Sequence, residues 1–90
     1  MTLYRYIPVW RREPRAAKLY RCFEILGGGG YVVQSADSFT TETYRERNAQ
    51  LDRQFLELLL EQCPEERVAP RPSIEEAIQY FDSLFSQESG

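Results

Sequence analysis

The chain has 90 residues, 42% of them hydrophobic and 13% aromatic, with a formal net charge of −3 and no histidine. So short a chain fills one core, so a single compact domain over residues 1–90 is expected, with the eleven Tyr and Phe and the one Trp supplying much of its burial. Without histidine, Ser-His-Asp and Cys-His arrangements are excluded, and two cysteines without CxxC spacing argue against a structural zinc site or a dense disulfide framework.

No apolar run approaches the roughly 20 residues of a membrane span. The opening MTLYRYIPVWRREPR lacks the basic-then-apolar order of a signal peptide, so a cytoplasmic protein with no membrane partner is the expectation. Cys22 and Cys63 are read as small buried or half-buried thiols. Charge is uneven: residues 1–47 carry eight basic and five acidic groups, residues 48–90 three basic and nine acidic. Such a split lets the two halves attract each other in the fold, or steers different partners.

In chain order, Leu3 to Arg11 (LYRYIPVWR) reads as a strand, and Pro8, which has no amide to donate, confines it to a sheet edge. REPRAA, Arg12 to Ala17, is the connection. Lys18 to Leu26 alternates Leu19, Arg21, Phe23 and Ile25 with Tyr20, Cys22, Glu24 and Leu26, and its aromatic and β-branched residues suit a strand. Tyr31 to Ala36 has the same character, so the four glycines between predict a hairpin turn, centred on Gly28 and Gly29, that pairs Ile25 with Val32 and Phe23 with Gln34. A phosphate loop would need a helix, a lysine and a hydroxyl residue after the glycines, and Tyr31 and a strand follow instead. More glycines than a hairpin needs reads as tolerance at a loose loop tip.

SADSFTTET, residues 35–43, is dense in capping and turn residues and forms the exit from the hairpin. A helix follows from Tyr44 to Gln62, with Leu51, Phe55, Leu58 and Leu59 as its core stripe, and Pro64 stops it. Leu56, Leu60 and Cys63 widen the apolar arc to roughly 200°, more than one packing face uses. Either this helix is wedged between the sheet and the second helix, which is the preferred reading, or Leu56 and Leu60 face another chain. After the loop PEERVAPRP, the sequence SIEE from Ser73 fits a capping box, and Ile74, Ala77, Ile78, Phe81, Leu84 and Phe85 share one face of a second helix.

Strands followed by helices predict an α+β fold: a small antiparallel sheet, made of a β-hairpin and an N-terminal edge strand, packed against two C-terminal helices. The sheet occupies 1–36, the helices 43–86, and 87–90 is a frayed tail. Tyr20, Cys22, Leu26, Tyr31 and Val33 oppose Phe23, Ile25 and Val32, so both sheet faces are apolar. With the helix pair on one face, the other needs a second cover.

No catalytic residue, cofactor or metal is expected. Ser35, Ser38, Thr40, Thr41 and Thr43 have no activating base, and DSFTTE lacks the alternating acids and glycine of a calcium loop. The remaining function class is binding, and the main expectation is a non-catalytic module that docks on another protein. Its apolar form uses Tyr20, Tyr31, Leu56 and Leu60, with homodimerisation the simplest case. Its acidic form uses Glu57, Glu61, Glu65, Glu66, Glu75, Glu76 and Asp82 to cover a basic site, as immunity proteins and antitoxins do. The alternative is a nucleic-acid surface in which Tyr4, Tyr6 and Trp10 stack bases and Arg11, Arg12, Arg15 and Lys18 meet phosphate, a reading that the net acidic charge disfavours.

Overall fold

The computed structural model describes residues 1–85. Three antiparallel strands, β1 (Tyr4–Arg12), β2 (Ala17–Ile25) and β3 (Gly30–Phe39), lie in the order β1-β2-β3. Helix α1 (Tyr44–Glu61), a one-turn helix α2 (Pro64–Arg67) and helix α3 (Ile74–Phe85) follow. The α+β class and the edge position of the N-terminal strand stand as read. Pro8 faces Arg21 from that edge, where its missing amide leaves no ladder bond unmade. The tail 87–90 lies outside the described residues.

The hairpin register differs from the expectation by two residues. Ile25 pairs with Gly30 and Phe23 with Val32, so Leu26 to Gly29 form the loop and Leu26 leaves the strand. A bulge between Arg21 and Cys22 then takes up Gln34, so Arg21 pairs with Ser35. The glycines are not tolerance at a loose tip. Gly30 has φ +90° and lies so close to the crossing chain that a Cβ would stand 2.8 Å from the Arg71 carbonyl. β3 also continues past Ala36 to Phe39, which is buried, because β2 runs on to Ala17 at the same end and pairs it with Phe39.

The two helices cover opposite faces of the sheet, where a pair on one face was expected. Tyr20, Cys22 and Val33 pack against Ala77 and Phe81 of α3. Phe23, Ile25 and Val32 pack against Phe55 and Leu59 of α1. The second cover that the apolar faces demanded is thus supplied within the chain. Leu19 to Phe23 are all buried, as a central strand with both faces covered must be.

The chain changes faces by passing the β3 edge. Arg71 and Tyr31 exchange backbone hydrogen bonds of 2.8 Å each way, so the segment after α2 adds a bridge to β3 and then enters α3 on the far side. The Ser73 hydroxyl accepts from the Glu76 amide (3.1 Å) and meets the Glu76 carboxylate (3.1 Å), closing the expected capping box through the side chains. PEERVAPRP is therefore not all loop: Pro64, expected only as a stop, opens α2 and is buried. Cys63 is exposed, not buried, because α1 ends at Glu61 and the extended backbone at Gln62 breaks the helical spacing that placed Cys63 on the stripe.

Candidate functional site

Two surfaces of the α1 side stand out. The first is the outside of α1. Leu51, Phe55, Leu58 and Leu59 turn toward the sheet, yet no residue of the helix is fully buried. Its seat is partly polar: Arg21, only 3% exposed, donates to Asp52 and to Asn48 (2.8 Å), and its guanidinium stands 5.5 Å from the Phe55 ring centre. The Nε of Arg21 and the Oε1 of Gln34 meet no protein partner among the described residues. Aromatic packing supplies the rest, with Phe55 stacked on Phe23 (5.2 Å) and tilted against Tyr6 (5.1 Å).

On the opposite side of α1, Leu56 is 54% exposed and Leu60 is 77% exposed. They lie one turn apart and so form one patch. The wedge reading fails because the second helix is on the other sheet face. Glu57 and Glu61 follow them by one residue each and form an acidic row beside the patch, with Arg53 reaching Glu57 at 3.3 Å.

The second surface is a cleft of 540 Å³ at the end of the sheet beyond the start of α1, lined by Trp10, Arg15, Ala16, Ala17, Phe39, Thr40, Thr41 and Tyr44. Trp10 and Phe39 have ring centres 6.1 Å apart, Phe39 and Tyr44 5.4 Å, and Trp10 and Tyr44 6.3 Å. Phe39 is the buried floor, and Trp10 and Tyr44 are half-exposed walls. Arg47 is held next to Phe39, donating to the Ser38 carbonyl (2.7 Å) with its guanidinium 5.6 Å from the Phe39 ring centre.

Several expected site residues are committed elsewhere. Tyr20 is 1% exposed and beyond the reach of a partner; its hydroxyl donates to Asp82 (2.9 Å), and burial with this bond pushes its pKa up to about 12. Tyr31 is half-buried against the α3 core and held in the bridge to Arg71. Neither belongs with Leu56 and Leu60. Burial likewise pushes the Cys22 thiol up to about 12.

The acidic set does not form one face. Asp82, expected on the solvated side of its helix, is half-buried and takes Arg11 at 2.9 Å, Tyr20 and, at 3.9 Å, Lys18. Glu65 accepts from the Tyr4 hydroxyl at 2.6 Å, a bond that raises the tyrosine pKa. Glu75 and Glu76 begin α3 on the other sheet face, and Glu66 is exposed in α2. Only Glu57 and Glu61 adjoin the leucine patch.

The basic and aromatic N-terminal stretch is divided in the same way. Strand alternation puts Tyr6, Trp10 and Arg12 on the α1 face and Arg11 on the α3 face, where Asp82 neutralises it. Trp10 and Arg15 meet in the cleft. Phe39 and Tyr44, which complete it, come from positions 29 and 34 residues after Trp10 and were not singled out in the sequence. Among the described residues, no cluster of His, Cys, Asp or Glu has the make-up of a metal site, and no helix is long and apolar enough to cross a membrane.

No family model matches the chain, and no curated protein or solved structure matches it.

Proposed function

We propose that the protein is a non-catalytic module that docks on another protein through the outer face of α1. The observation that carries this reading is the pair Leu56 and Leu60, exposed one turn apart on a helix that buries no residue fully. An apolar centre beside an acidic row has the anatomy of a docking patch, with leucines to desolvate and carboxylates at the rim. The partner it fits is a protein with an apolar groove bordered by Lys or Arg. In the inhibitor-like form, as with immunity proteins and antitoxins, that groove would belong to a basic functional site which the domain covers.

The test is capture of the partner from native lysate by the tagged wild-type domain and by a Leu56→Glu/Leu60→Glu variant, with nuclease present. The expected result is one protein recovered in stoichiometric amount by the wild type and lost by the variant. The melting midpoint should stay within a few degrees, since exposed substitutions usually alter stability by no more than about 0.5 kcal/mol. Capture that survives the double substitution would refute the patch. Sedimentation that shows a dimer broken by the same variant would make the partner a second copy, and recovery of nucleic acid alone would return the N-terminal stretch to consideration.

A further inference from the structure

We propose that the cleft between the β1–β2 turn, the end of β3 and the start of α1 binds a small planar aromatic acid, with its rings against Trp10, Phe39 and Tyr44 and its anionic group on Arg15. This site is separate from the leucine patch and does not depend on the docking reading.

Three observations choose this ligand chemistry. The first is size: 540 Å³ lies within the range of small-molecule sites and suits two fused rings. The second is the wall. Three rings from three different segments meet at tilts of 48° to 77°, which offers both faces and edges to an inserted ring, and apolar Ala16 and Ala17 complete the surface.

The third observation is charge. In a chain of net charge −3, no acidic side chain lines this cleft, whereas Arg15 does. Among the described residues Arg15 takes part in no ion pair, unlike Arg5, Arg11, Arg21 and Arg53. The Arg47 guanidinium, 5.6 Å from the Phe39 ring centre, is a second positive charge near the cleft. A guanidinium that holds a carboxylate in two parallel bonds gives such a ligand its orientation, and the Thr41 hydroxyl at the rim is a further donor. A cation or a neutral ring gains the stacking but not the pairing.

The chain has one tryptophan, so a single indole N–H signal in a ¹H–¹⁵N spectrum reports on this site. The test is titration with 1-naphthoate, 1-naphthylmethanol and 1-naphthylmethylamine in turn, and with a short oligothymidine. Naphthoate should shift the Trp10 indole and the Thr40 and Thr41 amides, with a Kd about tenfold or more below that of the alcohol, the scale of one charge-assisted pair. Arg15→Gln, at an exposed turn position, should keep the dispersion of the spectrum and erase that preference. Equal affinity for the acid and the alcohol, naphthoate shifts away from Trp10, no naphthoate binding, or an unchanged preference in Arg15→Gln would each overturn the proposal. So would tighter binding of oligothymidine than of naphthoate at the same resonances, which would make the cleft a base-stacking site.

Discussion

Tyr20 and Cys22 hold protons that the unfolded chain would release earlier. Their ordinary values are 10.0 and 9.0, and in the fold burial lifts both to about 12, aided for Tyr20 by its bond to Asp82. The sign follows from the linkage: above pH ~9 the unfolded chain binds fewer protons than the folded one, so stability falls as pH rises. The contribution is whole at neutral pH and is lost progressively between about pH 9 and 12. At pH ~11 the domain should be weaker by roughly 4 kcal/mol than at pH ~8, read from urea midpoints. Cys22→Ala should flatten part of that fall. A pH-independent midpoint would mean that neither group is sealed under α3.

Single residues also show where a sequence reading reaches its limit. The face of Tyr20 followed from alternation along its strand, and its burial did not, because burial depended on which helix came to that face. Asp82 was legible as an acid on the polar side of an amphipathic helix. Its role as the acceptor for Arg11 and Tyr20 was not, since those partners lie more than 60 residues away in sequence.

Among the elements, α1 is the one whose hold on the fold is most open to test. It rests on Arg21, a buried charge whose carboxylate partner, Asp52, comes from the helix itself. Asp52→Ala leaves that guanidinium with Asn48 alone and should cost about 1 to 3 kcal/mol. Adding Arg21→Met should restore most of the loss, because an unbranched apolar chain no longer needs the partner. Chemical denaturation of the two variants checks both expectations, and a double variant weaker than Asp52→Ala would show that the guanidinium is needed for packing beyond its charge. The helices themselves were legible, because α3 has its capping box and a one-sided stripe and α1 has its inner stripe. The surplus leucines of α1 were legible too, but the preferred explanation, a helix wedged between the sheet and α3, fell once α3 was found on the other sheet face.

For the molecule as a whole, the sheet separates two layers of unequal strength. The α3 layer contains Ala77 and Phe81 packed on Tyr20, Cys22 and Val33, whereas α1 contributes no fully buried residue. Local opening should therefore begin at α1, and its amides should exchange with solvent faster than those of β2 and α3. Phe81→Ala should cost about 3 to 5 kcal/mol and Phe55→Ala less, since the Phe55 side chain is only half-buried. Hydrogen exchange with residue resolution would test the order. Slower exchange in α1 than in α3 would contradict the asymmetry.

What the amino-acid sequence determined by itself was local: a Pro-marked edge strand, a glycine-turned hairpin, two amphipathic helices, and the absence of histidine chemistry. Each rests on backbone propensity, periodicity or capping, which act over a few residues. Tertiary structure alone decided that the helices lie on opposite faces, that Arg71 carries the chain past β3, that Asp82 is spent on Arg11 and Tyr20, and that Trp10, Phe39, Tyr44 and Arg15 share a cleft. Those outcomes depend on contacts between distant segments. They arise because a sheet with two apolar faces must bury both, and nothing in the order of elements says which helix goes where.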